Sequence, residues 1–198
     1  MMIDIDLLLA CGGAFKKIPK GTTIFSEGTT CCFYYQLVSG QVKWLNINDE
    51  GKEFIQIIID PGECFGELPL FDDDPYAATA IAAEDSVIIR LHKPVFNQLL
   101  CENQDIHFLF SRLLAQRVRF KFKLLESLAN QDPEVRISTL LNHLKKENKN
   151  FCPDCHQLKL TRQQIANMTG LRVETVIRSM RQMHEKGDLL ITKGKVFC

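Results

Sequence analysis

Glu174 and Arg178 stand four residues apart in Leu171-Arg172-Val173-Glu174-Thr175-Val176-Ile177-Arg178, so on a helix they share one face. A carboxylate there can accept a hydrogen bond from cytosine N4. A guanidinium can grip guanine O6 and N7 with two bonds, and each good base contact is worth about 1–3 kcal/mol of discrimination. The same pair on an arbitrary helix is a plain surface salt bridge, so its surroundings have to decide. A second grouping, Cys152-Pro153-Asp154-Cys155-His156, has the spacing of a redox or zinc CxxC and the letters of a covalent haem attachment. Zinc wants four ligands, and only Cys152, Cys155 and one of His156 or Cys198 offer themselves. No metal is therefore expected, and an exposed hairpin holding two thiols is the simplest reading. His92, His107, His143 and His184 have no nucleophile beside them, and Asp72-Asp73-Asp74 reads as a solvated turn. No catalytic site is expected.

The elements around Glu174 and Arg178 favour a base-reading role. Thr161 can cap a helix whose apolar positions are Ile165 and Met168, and Gly170 supplies a tight turn. A second helix then places Val173, Val176, Ile177 and Met180 inward, which makes a helix-turn-helix. A short strand over 157–160 precedes it. The stretch 187–197 reads as two strands around Lys193-Gly194-Lys195, a wing placed to touch phosphate. Upstream, Asn130-Gln131 is a helix stop, Asp132 an N-cap and Pro133 the first residue of a helix carrying Val135, Ile137, Leu140, Leu141 and Leu144.

From about Asn97 the apolar period is helical. One stripe runs Phe110, Leu114, Val118, Phe122, Leu125, Ala129, and a second runs Leu109, Leu113, Phe120, Leu124, Leu128. The pattern predicts a helix of about 25–30 residues with two apolar faces. One face suits the first half of the chain and the other a second copy of the helix, with wholly intramolecular burial as the alternative. The first half itself reads as strands over 22–25, 33–38, 41–45, 54–59 and 86–91, with glycine turns between them. Short strands with a turn about every ten residues suggest a small sandwich, roll or barrel.

The charge balance divides along the same line. Residues 1–111 carry 7 Lys and Arg against 16 Asp and Glu, net −9, and residues 112–198 carry 17 against 8, net +9. An acidic module joined to one that meets an anion is the expectation. With 198 residues, 45% hydrophobic and 24% charged, the chain has room for one or two domains with real cores. Its longest apolar stretch, residues 7–15, is far too short to span a bilayer and lacks the basic lead of a secretory signal. Eight cysteines in such a chain are expected to be reduced thiols in a cytoplasmic setting.

Over essentially its whole length the sequence resembles the CRP/FNR family of bacterial transcription regulators. The segment Gly66-Glu67-Leu68-Pro69-Leu70-Phe71 resembles the phosphate cassette of that family's cyclic-nucleotide-binding roll. The helix from Asp105 onward resembles its dimerisation helix, and Leu160-Thr161-Arg162-Gln163-Gln164-Ile165 its helix-turn-helix entry. Val173-Glu174-Thr175-Val176-Ile177-Arg178 resembles the recognition helix of the FNR branch. The CRP branch has Arg at the place of Val173, and the FNR branch has Ser at the place of Ile177. What carries over is the Glu174/Arg178 pair, and with it a GA-containing half-site.

The resemblance implies an α+β protein. An N-terminal antiparallel β-roll of the double-stranded β-helix or jelly-roll type occupies 1–96, a long dimerisation helix 97–129, and a winged helix-turn-helix 130–198. It implies a homodimer on an inverted repeat of double-stranded DNA, with RNA polymerase as a further partner and no membrane. DNA contacts are assigned to Thr161, Arg162, Gln163, Arg172, Glu174, Thr175, Arg178 and Lys193. The effector pocket would involve Gly66, Glu67, Leu68, Ala77, Ala78 and Lys121. The departures from the family lie in that pocket. Cyclic-AMP binders end the cassette in Arg-Ser, where this chain has Ala77-Ala78, and they carry Thr-Ser where it has Lys121-Phe122. Glu67, suited to a ribose hydroxyl, is kept. A buried phosphate without its cation is costly, so cyclic AMP is not the expected effector and no cofactor is assigned, although Lys121 could in principle supply a substitute charge. The FNR iron–sulfur cluster needs clustered N-terminal cysteines, whereas here Cys11 stands alone and Cys31-Cys32 are adjacent. A regulator gated by a nucleotide, by thiol chemistry or by a metal is the other reading. A helix-turn-helix turned to protein interaction is disfavoured by Glu174 and Arg178 sharing one polar face.

Overall fold

The computed structural model describes residues 2–129 and 132–198. In chain order the elements are α1 (Ile5–Ala10), β1 (Ala14–Ile18), β2 (Thr23–Phe25), β3 (Phe33–Ser39), β4 (Val42–Ile47), β5 (Glu53–Ile59), β6 (Cys64–Phe65), α2 (Leu68–Asp72), β7 (Thr79–Ala82) and β8 (Ser86–His92). Then follow α3 (Lys93–Glu102), α4 (Gln104–Ala129), α5 (Pro133–Lys146), α6 (Arg162–Thr169), α7 (Val173–Lys186), β9 (Leu190–Thr192) and β10 (Lys195–Phe197). They form two compact units, 2–113 and 114–198, which divide within α4.

The first unit is an antiparallel roll of two four-stranded sheets, ordered β1-β8-β3-β6 and β2-β7-β4-β5. Consecutive strands often lie in different sheets, so the two inner faces bury one shared core of Phe25, Tyr34, Tyr35, Trp44, Phe65 and Tyr76 with aliphatic neighbours. Phe25 stacks on Tyr76 with ring centroids 3.8 Å apart, and Trp44 Nε1 donates to the Ala78 carbonyl at 3.1 Å. Gln36 is fully buried and satisfied at both ends: its Nε2 donates to Ile3 O, and its Oε1 accepts from Ile3 N and from Tyr34 Oη.

The expected strands are present, and β1, β6 and β7 join them. The expected start of the helical period at Asn97 moves forward to Lys93. The helix there is in two pieces, because Asn103 leaves helical geometry at φ −127°, while its amide and side chain both donate to the Leu99 carbonyl. The 26-residue α4 that follows matches the expected length. Phe110, at the head of the first stripe, is fully buried among Tyr34, Phe71 and Phe96 in the first unit. The rest of that stripe behaves otherwise: Val118, Phe122 and Leu125 are 53%, 69% and 60% exposed, while Leu124 on the opposite face is buried.

In the second unit, α5 begins as its sequence indicates, with Asp132 Oδ1 accepting from Glu134 N at 2.8 Å and Pro133 at the first position. The Asn130-Gln131 stop lies outside the described residues. The expected strand over 157–160 is reduced to two bridges, Phe151 with Leu158 and Gln157 with Phe197. His143 of α5 stacks flat on Phe120 of α4, centroids 3.6 Å apart, and its burial pushes the imidazole below its ordinary pKa. The folded state thus holds fewer protons at this ring than the unfolded chain. Its contribution to stability is whole above the ordinary value of about 6.5 and is lost as pH falls through the lowered native value. Urea midpoints measured between about pH 7.5 and about pH 5.5 should fall, and the fall should be smaller in His143→Phe.

Candidate nucleic-acid interface

Each part of the interface is built by local chemistry. At the head of α6, Thr161 Oγ1 accepts from Gln164 N at 3.1 Å and Gln164 Oε1 accepts from Thr161 N at 2.8 Å, a full capping box. At its tail Gly170 takes φ 69°, a left-handed conformation that a side chain would disfavour, and the Leu171 amide closes on the Ala166 carbonyl at 3.2 Å. That turn sets the angle between α6 and α7.

On α7 the residues Val176, Met180 and Met183 recur at i, i+4 and i+7 and are buried, with Ser179 beside them. Ile177 was expected to face inward and does not. One residue on from Val176 the helix has turned by about 100°, so Ile177 is 37% exposed. It lies on the surface formed by Glu174, Arg178, Arg181 and Gln182. Glu174 and Arg178 are both exposed, and among the described residues no ion pair joins them.

The other assigned contacts fall around this face. Arg172 is exposed at the N-cap of α7, Thr175 is half-buried, and Thr161 and Gln163 are exposed on α6. Arg162 is half-buried, and its desolvation lowers the guanidinium from its usual value. It is therefore less available than its neighbours. The wing is β9 paired with β10 in the register Thr192 to Lys195, leaving Lys193 and Gly194 as a two-residue turn with φ 50° and 77°. Lys193 is thereby held exposed at the tip. His184 Nδ1 lies 3.3 Å from the Leu189 carbonyl, where the wing begins, and Lys186 pairs with Glu134 of α5 at 2.6 Å.

The cassette residues sit in the first unit. Gly66 takes φ 67°, and a Cβ there would lie 2.5 Å from the Phe25 ring, so only glycine fits. Glu67 is fully buried, Leu68 half-buried, Ala77 exposed and Ala78 buried. Lys121 belongs to the second unit, half-buried near Arg117, and burial pushes its ammonium below its usual value. Of the weak metal candidates, Cys152 is half-buried and Cys155 and His156 exposed, and among the described residues no three His, Cys, Asp or Glu side chains gather around a metal-sized space.

An antiparallel roll with a glycine-acid cassette, followed by a helix-turn-helix with a wing, defines a sensor-type module joined to a DNA-binding module. Residues 15–103 match the cyclic nucleotide-binding domain, and residues 135–197 the Crp-like helix-turn-helix domain. The cAMP-activated global transcriptional regulator CRP of Pasteurella multocida is 33% identical over 181 residues, covering 90% of this chain and 86% of that protein. Its Salmonella typhimurium counterpart is 31% identical with the same coverage. Among solved structures, the c-di-GMP-responsive global regulator CLP of Xanthomonas campestris superposes with a TM-score of 0.77 at 22% identity, covering 98% of this chain and 96% of that one. The chain belongs to the CRP/FNR family of transcription regulators, and it is a DNA-binding regulator.

Proposed function

We propose that the protein acts in the cytoplasm as a homodimer that binds an inverted repeat with GA-containing half-sites, without requiring cyclic AMP, and that it works with RNA polymerase. The domains are 1–96 for the roll, 97–129 for the dimerisation helix and 130–198 for the DNA reader. The observation that carries the reading is the exposure of Glu174 and Arg178 together on the outer face of α7, with neither spent on the other. Arg172, Thr175, Thr161, Gln163, Arg162 and Lys193 position the reader on bases and phosphates. Two such helices related by a two-fold axis meet half-sites one helical turn, about 34 Å, apart.

Independence from cyclic AMP rests on the cassette. Ala77 and Ala78 offer only methyl groups where a cyclic phosphate would need a cation, and the Gly66 backbone is packed on the rings of Phe25 and Tyr76. Calorimetry with cyclic AMP should show no micromolar binding. The test of the whole reading is selection of bound sequences from a random duplex pool with no nucleotide added. Recovery of an inverted repeat with a GA-containing half-site supports it, and a pool that stays random contradicts it.

The wing makes a separate prediction. Lys193→Ala should weaken binding to every duplex by a similar factor and reduce the slope of log affinity against log salt by about 1. A titration series at several salt concentrations on matched and scrambled duplexes checks both statements.

A further inference from the structure

The CxxC segment forms a tight turn against the wing. The Cys152 amide donates to the Gln157 carbonyl at 2.8 Å, and the His156 amide donates to the Cys152 carbonyl at 3.0 Å. His156 then reverses the chain at φ 54°. This folding holds Cys152 and Cys155 within one tight turn. The Cys152 thiol is held below its ordinary value, first by the backbone N–H of Cys155, then by the Cys155 thiol and the Asp154 N–H. The strand leaving the turn is tied to β10: Leu158 N donates to Val196 O at 2.8 Å, Gln157 bridges to Phe197, and Cys198 N reaches His156 O at 3.4 Å. The turn that holds the dithiol is therefore hydrogen-bonded to the strand that carries the wing.

We propose that Cys152 and Cys155 are a redox-active dithiol that closes to a disulfide by exchange with low-molecular-weight disulfides, and that closure alters DNA affinity through the wing. The second half of this statement rests on the DNA-binding reading above; the first half does not. The lowered Cys152 thiol forms its thiolate more readily, and within this turn that makes Cys152 the attacking group. Its thiolate attacks one sulfur of the small disulfide, forming a mixed disulfide and expelling a small thiolate. The exposed Cys155 then loses its proton and attacks the Cys152 sulfur, expelling the second small thiolate. Overall, two protein thiols and one small disulfide become one protein disulfide and two small thiols. Cys31 and Cys64 are buried, which leaves them out of such exchange.

The full-length reduced protein would be incubated with oxidised glutathione, alkylated and mapped by peptide mass. Of the eight free thiols, two should be lost, and the peptide holding Cys152 and Cys155 should be lighter by two hydrogen atoms. Cys152→Ser and Cys155→Ser should each abolish that peptide. Both cysteines fully alkylated, or linkage to other cysteines instead, overturns the dithiol. On the selected duplex, oxidised and reduced protein should differ at least about threefold in Kd, the scale of one altered hydrogen bond. Cys152→Ser should show no such difference. A disulfide that forms without moving Kd overturns the coupling to the wing. A protein that binds no sequence in either state contradicts the DNA-binding reading, while the mass map still judges the dithiol.

Discussion

Arg178→Ala is expected to remove discrimination at one base pair of each half-site and to leave the remaining positions as selective as before. A bidentate guanidinium–guanine contact is worth about 1–3 kcal/mol, or roughly a tenfold to hundredfold preference at that position. The proposed inverted repeat, where a dimer would read two half-sites at once, loses the contact twice. Its affinity should therefore fall by up to roughly the square of that factor, while random duplexes lose only the effect of one positive charge per protomer. Fluorescence titration of duplexes varied one base pair at a time measures this directly. Glu174→Gln should flatten a different base pair, because an amide still accepts from cytosine N4 but tolerates other partners. A uniform loss on all duplexes would instead mean that Arg178 touches phosphate. An unchanged profile would mean that the outer face of α7 does not read bases.

The helix-turn-helix was legible because its signals are local. Thr161 with Gln164, Gly170, and the Lys193-Gly194 turn each specify a backbone geometry within a few residues, and the structure holds each of them. The roll was less legible. In β1 four of five residues are exposed, so this edge strand carries no alternation of apolar and polar residues. In β7 the buried positions are alanines, Ala80 and Ala82, whose small side chains give no strand signal although their burial alternates cleanly. These strands exist because their neighbours offer a ladder, which is information held elsewhere in the chain. Ile177 failed for a different reason. Apolarity alone assigns it inward, and only the phase set by Val176, Met180 and Met183 turns it out onto the face of Glu174 and Arg178. Phe110 shows the converse: it continues the period of an exposed stripe, yet the aromatic cluster of Tyr34, Phe71 and Phe96 claims it.

Phe122→Glu is expected to dissociate the proposed dimer and, with it, to abolish high-affinity binding to the proposed inverted repeat. Val118, Phe122 and Leu125 follow one another at i, i+4 and i+7, the spacing of a coiled-coil seam, and all three are more than half exposed in the protomer. Fully burying each such side chain is worth about 1.5–3 kcal/mol, and a two-fold axis repeats the set. Pairing of two such stripes would supply an association energy well above that of a chance surface contact. A carboxylate at position 122 would meet its own copy across the axis, adding repulsion between like charges to the lost burial. Sedimentation should then report a monomer at concentrations where the parent chain is a dimer. Without a dimer, the second half-site no longer benefits from the high effective concentration set by the first, and affinity for the full repeat should fall by about a hundredfold or more. Binding to an isolated half-site should change little, since α7 is untouched. Because Phe122 is exposed in the protomer, its replacement leaves the core intact, and the circular dichroism spectrum should match that of the parent. A variant that stays dimeric would place the two-fold contact on another face of the molecule.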